Sequence, residues 1–318
     1  MEYNKHIANM SSGDEIEGYY LLEDAVQRLS SNGKAYLSAV ICDASGKMPL
    51  KKWDYQGELG QLQDGRIVKI RGEVSEFKGS NQITVSRIRM AQESDKVNYN
   101  ISDLVPTAPI DSVKELEYVQ ALVSTIEDPD YKKIAEAMLD RHLSAFGVIP
   151  AAKSIHHSFI SGLLMHTGNM LRIADFLSTN IYPDAVDRSL LLTGTLLHDF
   201  AKDREFAFSE LGIVTDMTVK GRLLGHLVMG AEEVAALCRE LDIPEEKSVL
   251  LQHMILSHHG QPEFGAAVVP CIAESELLSY IDMLDSRMEI YAEAFEQLPT
   301  GTFSDRIYAL DKRIYNHE

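Results

Sequence analysis

His198 and Asp199 stand side by side at the end of an apolar run, Leu196-Leu197-His198-Asp199-Phe200-Ala201-Lys202. His166 precedes them, and His226, His258, His259 and Asp282 follow at helix-scale separations. Imidazole nitrogens and carboxylate oxygens are the ligands that hold Mn, Fe, Zn or Mg-type divalent ions. More ligands than a closed structural site needs imply open coordination positions, and so metal-assisted hydrolysis. A lone histidine on an apolar helix is ordinarily a satisfied core residue. Burying a whole series of such polar rings on successive apolar segments without a common partner is costly, so the joint pattern favours a metal centre. His253 lies five residues before His258, about 140° around a helix, and reads as structural. His6, His142 and His317 lack this context and are expected at the surface.

These ligands need helices to present them. Everything after residue 111 reads as helical, with patterns over 113–127, 131–146, 157–180, 184–202, 225–241, 245–259 and 273–297. Asp128-Pro129 supplies a cap and an N1 proline. Pro183, Gly212, Gly221, Pro244 and the Gly260–Pro270 segment separate the helices. Adjacent residues on a helix point about 100° apart, so His198-Asp199 can offer two ligands to a cavity at a helix end.

Residues 17–91 read differently. Five short, partly alternating strands are separated by turn signals such as Ser31-Asn32-Gly33-Lys34 and Asp43-Ala44-Ser45-Gly46. That density suits a small five-stranded Greek-key barrel of OB type, with an SH3-like barrel as the alternative. Tyr36, Trp53 and Phe77 are candidate stacking residues for unpaired bases, though a strand aromatic is also an ordinary core residue. Lys34, Lys51, Lys52, Lys69, Arg71 and Lys78 are candidates to follow a phosphate backbone. The expected organisation is a tail at 1–16, a nucleic-acid-binding barrel at 17–91, a polar connector at 92–111 containing Pro106 and Pro109, and a helical domain at 112–318.

Charge separates the two parts. The net charge is −18, yet residues 1–100 carry 13 Lys+Arg against 14 Asp+Glu, and the remainder 17 against 34. The acidic part cannot attract a polyanion by its bulk field, but divalent cations can reverse the sign locally. The near-neutral barrel is the better nucleic-acid grip. No apolar run approaches the roughly 18 residues of a membrane span. Cys42, Cys238 and Cys271 are scattered, which fits a reducing, cytoplasmic compartment. Apolar helix faces near the C-terminus allow a homo-oligomer.

His166, His198-Asp199 and Asp282 resemble the dispersed H…HD…D signature of the HD-domain phosphohydrolases. His226 and His258-His259 resemble the additional ligands of two-metal members. Phe200-Ala201 departs mildly from the usual continuation of the motif, and Lys202 keeps its place. From about residue 17 to 313 the chain is similar to the YhaM-type 3′→5′ exoribonucleases. The likeness rests on Lys51-Lys52-Trp53-Asp54, Asn81-Gln82, His156-His157-Ser158-Phe159-Ile160-Ser161-Gly162-Leu163, Leu256-Ser257-His258-His259-Gly260, Tyr280-Ile281-Asp282-Met283-Leu284-Asp285 and Arg306-Ile307-Tyr308-Ala309-Leu310-Asp311.

The resemblance implies an OB-type barrel followed by an all-α HD domain. It implies metal-dependent hydrolysis of single-stranded RNA, with single-stranded DNA also open, to nucleoside monophosphates. Two ions are implied, Mn foremost, with Fe, Co, Mg and Zn as alternatives. His166, His198, Asp199 and Asp282 are assigned to one ion, and His226, His258 and His259 to the other. The roles within the His258-His259 pair stay open. Asp199 would bridge, because a carboxylate has two oxygens. Asp199 and Lys202 are the catalytic candidates, with Lys202 and His157 near substrate phosphate. The competing reading is a nucleotide phosphohydrolase or cyclic-nucleotide phosphodiesterase whose barrel serves assembly.

Overall fold

The computed structural model describes residues 2–62, 65–77, 79–105, 107–151, 159–208 and 213–317. It divides into two compact units. Met1–Thr107 with Phe208–Thr215 forms one, and Ala108–Ala207 with Asp216–Glu318 forms the other.

In the first unit, β1 (Glu2–Tyr3) leads into β2 (Glu15–Leu29), β3 (Ala35–Asp43), β4 (Gly46–Trp53), β5 (Arg66–Phe77) and β6 (Ser80–Met90). The strand order is β1-β2-β3-β4-β6-β5, and β2 also pairs with β5. That extra pairing closes a five-stranded barrel, because the long β2 shifts register between Glu23 and Val26 and serves two neighbours. The closure, with β4 and β6 parallel, is the OB arrangement rather than the SH3-like alternative. Burial alternates with period two. Leu37, Ala39 and Ile41 of β3 point inward with Leu22, Leu50, Val68, Ile70 and Ile83.

Residues 2–16, expected to be a tail, pack on this barrel. Ile7 and Met10 join its core, and the Ile7 N–H donates to Asp43 Oδ2 at 2.8 Å. Two buried apolar side chains are reason enough for ordering. The start of the connector is also tied down. Asp95 accepts from the Tyr19 hydroxyl at 2.7 Å and from both Arg89 terminal nitrogens. A short helix, α1 (Ile101–Leu104), follows it.

The second unit is helical: α2 (Ser112–Ser124), α3 (Pro129–Phe146), α4 (Gly162–Phe176), α5 (Arg188–Leu197), α6 (Lys202–Glu205), α7 (Val219–Glu240), α8 (Glu245–Ser257) and α9 (Ala273–Gln297). Caps match the residue types. Asp111, Asp128 and Asp187 each accept a backbone N–H from the first turn of α2, α3 and α5. Ser189 to Leu197 of α5 are buried on every side, as a central helix requires. Gly194 leaves room for Met254 of α8, since a Cβ there would sit 2.5 Å from Met254 Sδ.

Two small two-stranded pairings were not anticipated: β7 (Phe206–Phe208) with β8 (Val214–Met217), and the antiparallel β9 (Thr302–Phe303) with β10 (Tyr315–Asn316). Helix α7 begins six residues earlier than its pattern suggested, and Gly225 interrupts it at φ +71°. Among the described residues, no helix is long and apolar enough to cross a membrane.

Candidate functional site

Helix ends build the centre of the second unit. His198 follows the last residue of α5, and its Nδ1 lies 2.7 Å from Thr195 O. His258 follows the last residue of α8 in the same way, with Nδ1 2.8 Å from Ile255 O. The final carbonyls of a helix lack intrahelical partners, so each accepts the imidazole N–H. A carbonyl can only accept, which fixes the proton on Nδ1 and leaves the Nε2 lone pair facing inward.

The other ligand candidates arrive by different routes. His166, in the second turn of α4, contacts Asp285 Oδ2 through Nδ1 at 2.7 Å, and Asn169 donates to the second oxygen of Asp285. His166 Nε2 then lies 3.3 Å from His198 Nε2 and 3.3 Å from Asp282 Oδ1. His226 begins the resumed helix after the Gly225 break. Glu205, at the end of α6, accepts both its backbone N–H and its Nδ1–H.

Asp199 sits between two groups. His166, His198 and Asp199 offer ligand atoms within 4.8 Å of one another, and so do His226, His258 and His259. Asp199 Oδ2 is 3.3 Å from His198 Nε2. Its Oδ1 is 3.5 Å from His226 Nε2 and 3.7 Å from His258 Nε2. Lys202 Nζ donates to Oδ2 at 2.6 Å.

Asp199 Oδ1, His226 Nε2, His258 Nε2 and His259 Nδ1 are buried without a hydrogen-bond partner among the described residues. Each such atom costs about 1–3 kcal/mol if nothing satisfies it. A cluster of orphaned lone pairs converging on one carboxylate fits a cation and little else, so the residues present suit divalent metal.

Electrostatics agree with the geometry. Burial would raise the Asp199 carboxyl, but Lys202 and His198 outweigh it and hold it well below the usual range. Asp282 is likewise held down, by His166 against its own burial. Burial, with His198 and His259 nearby, pushes His258 well below the ordinary imidazole value, and His259 is lowered by burial and His226. Neutral imidazoles and ionised carboxylates are the protonation states that bind metal. Burial disfavours charge on His166, yet Asp282 and Asp285 raise it to about 9. The pair of carboxylates favours positive charge there, whether a proton or a metal ion supplies it.

A cavity of about 640 Å³ opens on this cluster, lined by His166, Asp199, Lys202, His258, His259 and Asp282 and by residues including Phe264, Tyr280 and Arg287.

The histidines and carboxylates singled out from sequence thus come together, with Lys202 beside them. Asp285 and Glu205, which hold the far nitrogens of His166 and His226, were missed. Asp285 had a signal, being three residues after Asp282 and so on the same helix face. Glu205 had none. His142 corrects an expectation. It is buried, not exposed, with Nδ1 2.7 Å from Asp203 and Nε2 3.1 Å from Glu233. His253 accepts the Cys271 N–H at 3.0 Å. His157 lies outside the described residues.

On the barrel, Tyr36 and Trp53 face each other across β3 and β4 with ring centroids 4.9 Å apart. Lys51 Nζ lies 5.7 Å from the Trp53 ring centre and 5.0 Å from that of Phe77. Trp53 and Phe77 are half-exposed, and Lys34 pairs with Asp54 beside them. Lys52 does not join this surface. Strand alternation turns it away from Lys51, and it pairs with Glu58 at 2.9 Å in a separate groove. Lys78 lies outside the described residues.

Comparison with known proteins gives matches along the chain. Residues 163–287 match the HD domain family, and residues 21–91 match the OB-fold nucleic acid binding domain family. The 3′-5′ exoribonuclease YhaM of Oceanobacillus iheyensis is 33% identical over 311 residues, covering 97% of this chain and 96% of its own length. Among solved structures, the second OB-fold domain of replication protein A from Methanococcus maripaludis covers 29% of this chain and 97% of its own, at 14% identity and a TM-score of 0.25. An OB domain from Thermoplasma acidophilum covers 29% of this chain and 89% of its own, at 19% identity and a TM-score of 0.24.

Proposed function

The chain belongs to the family of the 3′→5′ exoribonuclease YhaM, and from that premise we propose that it shortens single-stranded RNA from the 3′ end by metal-dependent hydrolysis, releasing nucleoside monophosphates. The observation that carries this reading is the gathering of imidazoles and carboxylates around Asp199, with buried lone pairs left unpartnered.

His166, His198, Asp199 and Asp282 would hold one divalent ion. His226, His258 and His259 would hold a second, and Asp199, which lies near both groups, would serve both. When bound, such a pair activates water and neutralises the phosphodiester oxygens. Mn is the metal we favour, and Fe, Co, Mg and Zn suit the same donor set closely enough to be tested beside it.

The chain's own residues do the rest. Asp285 and Glu205 fix the rings of His166 and His226 so that one nitrogen of each faces inward. Lys202, already on Asp199 and on the cavity wall, would donate to a non-bridging phosphate oxygen. The cavity is of a size that accepts a terminal nucleotide. Phe264 and Tyr280, which line it, would stack on its base. On the barrel, Tyr36 and Trp53 would stack unpaired bases while Lys51 and Lys34 meet phosphate. Single-stranded DNA offers the same base faces and stays within the reading.

The test uses 5′-labelled single-stranded RNA with Mn²⁺ and, in parallel, the other metals. A ladder shortening from the 3′ end supports the reading, and an intact strand under every metal sinks it. Release of product from mononucleotides alone would instead favour the nucleotide phosphohydrolase reading.

A further inference from the structure

Outside the aromatic pair, the barrel carries a second concentration of charge. Across β5 and β6, Lys69 stands opposite Arg89 and Arg71 opposite Arg87. Their neighbours Ile70 and Ile88 fill the core, so these four cations share the outer face as a two-by-two block. Like charges directly opposite one another destabilise a sheet. Glu17 offsets Lys69 at 3.0 Å and Asp95 offsets Arg89 at 2.6 Å, while among the described residues no carboxylate pairs with Arg71 or Arg87. Both are exposed.

A specific irregularity makes the block. The register shifts at Arg71/Gly72, where Arg71 faces Arg87 and Gly72 faces Val85, leaving Ser86 as an extra residue. Val85 and Ile88 are both buried, an odd spacing that strict alternation forbids. The bulge therefore turns Arg87 and Arg89 outward, onto the same face as Lys69 and Arg71. It also needs Gly72, because a Cβ there would sit 2.5 Å from Thr84 O. Bulges of this kind re-aim side chains at functional surfaces.

The four cations line a groove of about 450 Å³ with Glu17, Lys52 and Glu58, and share no lining residue with the groove beside Tyr36 and Trp53. Half-exposed Tyr3, outside the lining of this groove, has its ring centre 5.4 Å from Lys69 Nζ. Cations spaced about 6.6 Å along a strand and about 4.8 Å across suit a run of phosphates better than a single anion.

We propose that Lys69, Arg71, Arg87 and Arg89 form a second nucleic-acid site on the barrel, one that grips the sugar-phosphate backbone of single-stranded RNA apart from the base-stacking surface at Tyr36 and Trp53. The proposal rests on the reading of the chain as an RNA-degrading enzyme.

The test is fluorescence anisotropy of a labelled 30-nucleotide RNA with the full chain in EDTA, across a salt series. R71Q/R87Q should weaken binding about tenfold or more at low salt. It should also flatten the plot of log affinity against log salt by about 1.4, at roughly 0.7 per phosphate contact. R71K/R87K, which keeps the charge, should restore the slope. Equal affinity and equal slope in all three proteins would overturn the site. The underlying reading fails separately, if the unaltered chain leaves RNA intact with divalent metal.

Discussion

Glu205 and His226 are joined twice: Glu205 Oε1 accepts the His226 backbone N–H at 3.0 Å, and the same carboxylate meets His226 Nδ1 at 3.1 Å. The first contact caps the helix that restarts after Gly225, and the second fixes the ring so that Nε2 faces Asp199. One carboxylate thus sets both where the helix begins and where its first side chain points. E205A should lower metal affinity about 10–100-fold, as loss of such outer partners commonly does. Calorimetric titration with Mn²⁺ checks this. Unchanged affinity would show that His226 orients itself.

Asp199 is the group that both ligand clusters share, so its removal should cost more than that of any orienting residue. D199N keeps the shape of the side chain but gives one position to an NH₂, which cannot accept. Cleavage of RNA should fall by more than about 100-fold, beyond the loss expected for an outer partner. RNA binding measured by anisotropy should persist, since the barrel is untouched. Retained cleavage would move the centre away from Asp199.

Legibility in the sequence followed periodicity and residue chemistry. The barrel and the helices were readable because burial alternates cleanly, as in Leu37, Ala39 and Ile41, and because Asp128-Pro129 and Asp187 mark helix starts. The metal-ligand candidates were readable because His and Asp are rarely gathered on apolar helices. Lone residues were not. His142 looks like a surface histidine until the fold brings Asp203 and Glu233, 61 and 91 residues away in the chain, to its two nitrogens. The β6 bulge left only a slight trace, the step of three from Val85 to Ile88 after the step of two from Ile83, and the partner strand is needed to show that Ser86 is the unpaired residue.

His142 makes stability depend on pH. Burial opposes its charge, but hydrogen bonds to Asp203 and Glu233 win and raise its pKa to about 9, above the ordinary 6.5. The folded state therefore binds the proton more tightly than the unfolded one. The stabilisation is fully present below pH 6.5 and disappears as pH rises through about 9. H142Q should destabilise the chain by up to about 3 kcal/mol at pH 6 and much less at pH 10, since it removes one of the two cations, with Arg204, that the half-buried Asp203 and Glu233 share. Urea denaturation of both proteins at the two pH values reads the difference. An equal loss at both would mean that His142 acts as packing against Phe200 rather than as a charge.

Trp53 tests the barrel's stacking surface. Its ring lies 4.9 Å from Tyr36, is 47% exposed, and has Lys51 nearby. Half of the ring stays open to solvent, which leaves a face on which an unpaired base can stack. W53A should weaken single-stranded RNA binding by about 1–3 kcal/mol, the usual value of one stacked base. The loss should change little with salt, because stacking releases no counterions, whereas loss of a phosphate contact would change the salt slope. Thermal unfolding should shift only slightly, as the ring is not part of the barrel core. Anisotropy at two salt concentrations beside a melting curve separates the cases. A large drop in melting temperature with unchanged RNA affinity would make Trp53 a packing residue of the barrel wall.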